Sequence, residues 1–126
     1  MNLNQITVGS TNIGRSIEFY QRLGLKLIVH SGPHYARFVA PEGSTTFSVH
    51  LVDAVPKSAT WIYFEIDKLD EKVESLEDSG LSFDELPTDK SWLWREARIT
   101  DPDGNIIILY RAGENRLNPP WRINPV

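Results

Sequence analysis

The stretch Ala97-Arg98-Ile99-Thr100-Asp101-Pro102-Asp103-Gly104 decides the fold, because it repeats the pattern of Ala36-Arg37-Phe38-Val39-Ala40-Pro41-Glu42-Gly43, which begins 61 positions earlier. Each stretch reads as a strand that runs into a Pro-acidic-Gly turn. Proline presets φ at the second position of such a turn, and glycine suits its exit. A further apolar strand follows each turn, over 45–52 and 106–110. The sequence therefore predicts the same β-hairpin twice.

A second match, without gaps and at a distance of 56 positions, precedes the two hairpins. It aligns residues 6–27 with 62–83, so that Gly24 falls on Gly80. Each segment reads as a strand, a polar break, and a helix with apolar residues three to four positions apart. The glycine ends the predicted helix, since its positive φ is typical of a helix C-cap. Both halves therefore have the order strand, helix, strand, strand, strand.

Two such halves predict an α+β fold of paired βαβββ repeats. A half with one helix and four short strands exposes one sheet face, and joining two halves buries those faces. We expect one domain, with halves at about 3–54 and 60–111. Its eight-stranded sheet should be curved and mostly antiparallel, with helices outside and a cleft inside. The remaining tail, 112–126, holds prolines such as Pro125 and should run extended.

The composition limits the classes of partner. The 126 residues are 40% hydrophobic and 24% charged, as in ordinary globular domains. A net charge of -4 argues against nucleic-acid and membrane partners, which favour a basic face. The absence of cysteine excludes disulfides and thiolate metal sites and suits a reducing compartment. Residues 1–5 do not begin a signal peptide, so we expect a cytoplasmic protein.

Four segments resemble the vicinal oxygen chelate superfamily, which includes glyoxalase I, the extradiol dioxygenases and the bleomycin-resistance proteins. They are Asn4-Gln5-Ile6-Thr7-Val8, Ser16-Ile17-Glu18-Phe19-Tyr20 before Leu23-Gly24-Leu25, Tyr63-Phe64-Glu65-Ile66-Asp67, and Asp101-Pro102-Asp103-Gly104-Asn105. The resemblance covers roughly residues 3–111 and implies the paired βαβββ fold. It also implies a cleft for a small-molecule ligand, with a divalent metal in some branches and none in others, and a homodimer.

The resemblance further implies four metal-ligand positions, which relatives fill with His, Gln or Glu. Here these positions hold Gln5, Ser48, Trp61 and Ile108. The amide oxygen of Gln5 suits a hard cation, whereas a serine is a poor ligand and Trp61 and Ile108 offer no donor. His50 is the other possible ligand, and a stable transition-metal site usually needs three or more. We therefore expect no cofactor, with Gln5 and His50 as the weak candidates for a divalent metal.

Period-two alternation predicts which other side chains face the cleft. Besides Gln5, Ser48 and His50, they are Tyr35, Arg37, Trp61, Tyr63, Glu65, Ile106, Ile108 and Tyr110. The seventh strand adds either Trp94, Glu96 and Arg98 or Arg95, Ala97 and Ile99. Aromatic walls with few polar groups suit a planar ligand. Trp61 would stack on such a ligand, and an arginine would bind the carboxylate of the ligand through paired hydrogen bonds. Alternatively, the aromatic side chains fill the cleft and close it.

His50 and Glu65 are the candidates for catalysis. A buried carboxylate is costly without a partner, so we expect Glu65 to meet His50, Arg37 or Arg98. His50 could equally be a hydrogen-bonded interior histidine. The segment 87–95 reads as a loop whose tryptophans, Trp94 among them, form a lid or binding edge, or anchor the loop or a subunit contact.

Three functions remain open from the sequence. The first, which the residues at the metal positions favour, is a metal-free, bleomycin-resistance-like protein that sequesters a planar or aromatic small molecule. The second is a lyase, isomerase or dioxygenase of the glyoxalase type. It would use a metal on Gln5 and His50, or Glu65 and His50 as acid and base. The third is a non-catalytic structural or oligomeric domain.

Overall fold

A computed structural model describes residues 1–123 of the chain. Its strands are β1 (Gln5–Ser10), β2 (Lys26–Ser31), β3 (Tyr35–Val39), β4 (Thr46–Leu51), β5 (Trp61–Glu65), β6 (Glu85–Asp89), β7 (Arg95–Thr100) and β8 (Ile106–Arg111). Helix α1 (Ile13–Leu23) follows β1, and α2 (Leu69–Asp78) follows β5. The predicted order is confirmed in both halves. Among these residues, neither α-helix is long and apolar enough to cross a membrane.

The strands form two four-stranded mixed sheets, with the orders β1-β4-β3-β2 and β5-β8-β7-β6. In each sheet the first strand of the half pairs in parallel with the last, and the other neighbours are antiparallel. The prediction of an α+β fold with repeated, mostly antiparallel halves is confirmed. The eight strands make two open sheets of four, one per half.

The chain divides into two compact units. The first contains Met1–Ala59 together with Asp101–Asn105, and the second contains Thr60–Thr100 and the chain from Ile106 onward. The first boundary between the units thus falls between Ala59 and Thr60. The turn between β7 and β8, however, belongs to the first unit, although its sequence comes from the second half.

Helix α1 packs on one face of the first sheet. The side chain of Asn12 caps its first turn, and Gly24, at φ 115°, ends it in the left-handed conformation. Tyr20 is fully buried, with its ring centroid 4.6 Å from that of Phe47 and 5.7 Å from that of Phe38. Phe47 and Val49 of β4 are thus buried on the face of the sheet that the helix covers.

The β7–β8 turn completes the first unit through two buried carboxylates. Asp101 accepts hydrogen bonds from the backbone N–H groups of Asp103 and Asn105, at 2.9 and 2.8 Å, and from the hydroxyl of Tyr20 at 2.6 Å. The carboxylate of Asp103 accepts from the backbone N–H of Thr11, just before α1, at 3.0 Å. The Asp-Pro-Asp-Gly-Asn motif therefore has a structural role.

The second unit has an analogous core. Helix α2 buries Leu69, Val73 and Leu76. The sheet face on the same side contributes the buried residues Ile62, Ala97, Ile99, Ile107 and Leu109. No side chain caps the start of α2, but Asp70 and Glu71 lie in its first turn, where negative charge favours the helix dipole.

Two predictions about irregular segments need correction. The tail begins with a 3-10 helix, Gly113–Asn115, because the carboxylate of Glu65 binds the backbone N–H groups at its start. The tail is therefore not extended there; Pro125 lies outside the described residues. The segment 87–95 is not a single loop either. Residues 87–89 belong to β6, an edge strand whose register shift accommodates Pro87, and only 90–94 form a turn.

Candidate functional site

Each sheet has one face that the helix of its own unit does not cover, and strand register places the predicted site residues there. We call these surfaces the helix-free faces. The face of the first unit carries Gln5, Thr7, Tyr35, Arg37, Ser48 and His50. The face of the second unit carries Trp61, Tyr63, Glu65, Glu96, Arg98, Ile106, Ile108 and Tyr110. Register also decides between the alternatives for β7, because Glu96 pairs with Tyr110 and Arg98 with Ile108.

A hydrogen-bonded group occupies the centre of the first helix-free face. Ser48 is fully buried, and its hydroxyl lies 2.6 Å from the hydroxyl of Thr7. Arg37 donates from Nε to the phenolic oxygen of Tyr35 at 2.8 Å. Burial tends to raise the pKa of Tyr35, but hydrogen bonds with Ser48 and Arg37 outweigh that effect and leave this pKa below its usual value. The phenol is therefore prepared to lose a proton more readily than an ordinary tyrosine.

The two candidate metal ligands of the first unit are far apart. Gln5 pairs with Thr46, and its side-chain oxygen accepts a 2.8 Å hydrogen bond from the hydroxyl of that threonine. His50 is exposed and lies four residues further along β4, which corresponds to about 13 Å at the rise of a strand. The register thus separates the backbone positions of Gln5 and His50 along the strands, and their use as metal ligands stays a prediction.

An aromatic cluster covers much of the second helix-free face. The indole of Trp94 stacks on Tyr110, with centroids 4.7 Å apart and an interplanar angle of 21°. Tyr63 meets Tyr110 and Trp94 edge-on, at 5.5 and 5.9 Å. Ile108 and Tyr110 are buried. These side chains therefore form a wall of mutually packed aromatic rings on this part of the face.

Trp61 lies outside that cluster and keeps 46% of its surface exposed. The guanidinium carbon of Arg98 lies 5.0 Å from the centroid of its ring. An arginine at this distance is attracted to the negative face of an indole. The second unit therefore presents an accessible indole whose position is supported by a cation.

The structure gives Glu65 a different partner from those expected. Its carboxylate accepts hydrogen bonds from the backbone N–H groups of Ala112 and Gly113, at 2.8 and 2.9 Å. Arg116 lies 3.8 Å from it. Arg98, the expected partner within the same unit, lies instead over the ring of Trp61. Both oxygens serve the segment after β8, which favours a structural use of this carboxylate.

Glu96 is a site residue that the sequence left as one of two options. Only 5% of its surface is exposed, and its carboxylate accepts a 2.6 Å hydrogen bond from the indole N–H of Trp92. Burial and then the charge of Glu96 raise the pKa of Tyr63. The register of β7 against β8 places Glu96 on this face. The alternation of residues within β7 alone does not decide which of its two faces that is.

The pattern of two halves matches one known protein family. The family model described as "Glyoxalase/Bleomycin resistance protein/Dioxygenase superfamily" aligns with residues 2–109. The chain belongs to this superfamily. The predicted resemblance to vicinal oxygen chelate proteins is thus confirmed. Comparison with curated proteins finds none that matches the chain in sequence.

Solved structures of superfamily members share the fold at low sequence identity. A glyoxalase/bleomycin resistance protein/dioxygenase from Nocardioides is 20% identical, with a TM-score of 0.78 over 98% of this chain and 90% of that one. A bleomycin-binding protein complexed with bleomycin is 17% identical, with a TM-score of 0.71 over 88% of this chain and 98% of that one. A lactoylglutathione lyase from Agrobacterium tumefaciens is 13% identical, with a TM-score of 0.76 over 93% of this chain and 96% of that one. At these identities the similarity establishes the fold alone.

The metal that some superfamily branches use does not fit the residues at the four expected positions. Ile108 is buried and has no donor atom, and Trp61 faces a guanidinium. The hydroxyl of Ser48 is engaged with Thr7. Within residues 1–123, no group of three or more His, Cys, Asp or Glu side chains could hold a metal ion. This donor set falls short of the three protein ligands that a stable site usually needs.

Proposed function

We propose that this superfamily member binds a planar aromatic small molecule at the helix-free face of the second unit, without a resident metal. The observation that carries the proposal is the pair of Trp61 and Arg98. An indole that is 46% exposed, with a guanidinium 5.0 Å from its centroid, offers a flat surface for stacking. The arginine adds donors for an acceptor group at the edge of the ligand.

The surroundings of Trp61 support this proposal. The cluster of Tyr63, Trp94 and Tyr110 gives the face a rigid apolar floor. Glu96 is buried beside it, with its carboxylate bound to the indole N–H of Trp92. Apolar walls with a few directed polar groups are typical of ligand sites. The solved relative with bleomycin is a superfamily member for which a small-molecule ligand is known.

Calorimetric titration tests the ligand site. The probes are bleomycin, which the solved relative binds, and the aromatic anion 8-anilinonaphthalene-1-sulfonate. We expect Trp61→Ala to weaken binding by about tenfold or more, as loss of a central aromatic contact does. Trp121→Ala removes another exposed indole and is the matched control, which should bind as the unmodified protein does. Equal binding by both variants would reject the Trp61 site.

Elemental analysis tests the metal-free part of the proposal. Protein purified without chelator should carry no divalent transition metal in a near-stoichiometric amount, and adding EDTA should not change the binding of either probe. A near-stoichiometric content of Ni, Zn, Fe or Mn that EDTA removes together with binding would contradict it.

One observation favours a second candidate function, an acid–base isomerase that needs no metal. Tyr35 has a lowered pKa and lies directly opposite the exposed His50 in the antiparallel pair of β3 and β4. A phenol and an imidazole side by side could move a proton between neighbouring carbons. The hemithioacetal of methylglyoxal and glutathione is the first substrate to test. Turnover that Tyr35→Phe abolishes would support this function, and no turnover by the unmodified protein would reject it.

We also propose that the protein is a homodimer, as the superfamily resemblance implies, and that it is cytoplasmic, as the sequence predicts. Exposed apolar side chains such as Leu86 and Trp92 are available for a subunit contact. Light scattering after gel filtration should give twice the mass of one chain, and a monomer at micromolar concentration would contradict the proposal.

A further inference from the structure

A cavity of about 510 Å³ lies within the second unit, at the turn between β6 and β7. Its walls include Lys90, Leu93, Trp94, Arg95, Arg111 and Asn115. Of these, the sequence pointed only to Trp94 and, as one of two options, Arg95. The volume falls in the range of about 300–1,000 Å³ that small-molecule sites occupy.

The wall formed by the turn is held in an unusual conformation. The backbone N–H of Lys90 donates to the carbonyl of Trp94 at 2.8 Å, and that of Leu93 donates to the carbonyl of Lys90 at 3.0 Å. Leu93 has a φ of 67°, a backbone conformation that residues other than glycine rarely adopt. The turn therefore keeps a strained leucine whose side chain is 48% exposed at the cavity. Strained residues of this kind are concentrated at ligand sites.

The wall formed by Trp94 is aromatic, and two contacts hold it in place. The indole of Trp94 stacks on Tyr110, and its N–H donates to the carbonyl of Asn115 at 3.3 Å. The indole is thus held on one face by stacking and at its edge by a hydrogen bond. Together with Leu93, it gives the cavity an apolar surface of defined shape.

The three cations of the cavity differ in how far their charge is already neutralised. Arg95 forms ion pairs with Asp70 and Asp89, at 2.9 and 3.0 Å. Lys90 forms one with Glu85. Arg111 makes no direct ion pair with any residue in 1–123, and its guanidinium donates one 3.4 Å hydrogen bond to the carbonyl of Asp67. Its charge still acts on Asp70, whose pKa is lowered chiefly by the hydrogen bond with Arg95 and further by Arg111. Arg111 therefore keeps most of its donors for another acceptor.

We propose that this cavity is a second binding site, which takes a small organic acid. The carboxylate of the ligand binds the guanidinium of Arg111 through paired hydrogen bonds. Its apolar body packs against Leu93 and Trp94. The site does not include Trp61, although it shares Trp94 with the aromatic cluster beside the ligand surface proposed above.

Nuclear magnetic resonance with benzoate as the probe tests the proposal. Benzoate should shift the indole N–H signal of Trp94, which the spectrum of Trp94→Phe identifies. Arg111→Gln should weaken benzoate binding by about tenfold, the effect of losing a charge-assisted pair of hydrogen bonds. Arg22→Gln removes an exposed arginine of helix α1 and should leave the affinity unchanged. Benzamide, which has the ring without the charge, should bind at least about tenfold more weakly.

Two further variants make the outcome decisive. Leu93→Gly removes the apolar wall and relieves the positive φ, so it should weaken benzoate binding without lowering the thermal midpoint. Trp61→Ala should leave the benzoate affinity unchanged even if it abolishes binding of bleomycin. Equal benzoate affinity in Arg111→Gln and the unmodified protein, or loss of the benzoate effect in Trp61→Ala, would overturn the proposal.

Discussion

The hydroxyl of Tyr20 donates a 2.6 Å hydrogen bond to the carboxylate of Asp101, 81 residues further along the chain. Both side chains are buried. The carboxylate also accepts from the backbone N–H groups of Asp103 and Asn105 and from the amide of Asn105. A buried anion with four hydrogen bonds is compatible with a stable core, whereas a buried anion without partners is not.

Tyr20→Phe should therefore destabilise the fold by about 1.5–3 kcal/mol, since it removes a hydrogen bond to a buried charged group. Urea unfolding followed by circular dichroism measures the loss. Tyr63→Phe is the matched control, because its side chain is 41% exposed and the change should cost less than about 0.5 kcal/mol. A loss of the same size in both variants would contradict the role of the buried bond.

Alkaline pH should destabilise the protein through Tyr20. Burial, and after it the charge of Asp101, raises the pKa of Tyr20 far above its usual value. The unfolded chain releases this proton at about pH 10, so the stabilisation is complete below that pH and is lost as the pH rises above it. The loss should approach about 1.4 kcal/mol per pH unit for this one proton. Urea midpoints measured between about pH 8 and pH 11 should fall more steeply for the unmodified protein than for Tyr20→Phe.

Glu65→Ala should loosen the start of the tail without abolishing the fold. The variant leaves the N–H groups of Ala112 and Gly113 without their acceptor, and the expected cost is about 1–3 kcal/mol. Hydrogen exchange should speed up at these two amides. Glu42→Ala changes an exposed loop carboxylate and should leave them protected. If hydrogen exchange at these two amides were unchanged in Glu65→Ala, the structural role would be contradicted and a catalytic role of this carboxylate would be favoured.

Two glycine substitutions should change the free energy of unfolding in opposite directions. Gly104 has a φ of 91° and open space where a Cβ would lie, so Gly104→Ala should cost about 1–2 kcal/mol through backbone strain alone. Gly14 lies in helix α1, where an added Cβ would meet only the side-chain oxygen of Asn12 at an ordinary 3.6 Å. Gly14→Ala should stabilise by about 0.5–1 kcal/mol. Thermal unfolding measures both changes, and a shift of the same sign would contradict the assignment of strain.

Tyr35 should ionise at a lower pH than the other tyrosines of the protein. Its hydrogen bonds with Ser48 and Arg37 lower its pKa, whereas burial raises that of Tyr63 and of Tyr110. Difference absorbance of tyrosinate between the unmodified protein and Tyr35→Phe isolates its titration. Arg37→Gln should move that titration to higher pH. A titration of Tyr35 that is insensitive to Arg37 would show that the guanidinium does not act on it.

The sequence predicted the fold through features that repeat locally. Apolar spacing and the glycines at 24 and 80 located the helices, and their positive φ values are confirmed at 115° and 103°. The strand pattern of β4 correctly placed Ser48 and Phe47 on opposite faces. These results depend on residues that are neighbours in the chain or on the same strand.

The features that escaped prediction depend on pairing between distant segments. The acceptor role of Glu65 needs the backbone after β8, and the burial of Glu96 needs the register of β7 and the indole of Trp92. Gln5 and His50 were chosen as candidate ligands because their side chains can bind a metal. Their separation along the strands becomes visible only in the register of β1 against β4. Roles for His50 and for the residues of both helix-free faces stay predictions.

The β7–β8 turn has a consequence for how the chain is made. The residues that bind Tyr20 and Thr11 are synthesised only after most of the second half has been translated. While the nascent chain ends before Asp101, the buried hydroxyl of Tyr20 lacks its acceptor and the first unit is incomplete. The first unit is therefore complete only once the chain has been synthesised as far as Asn105.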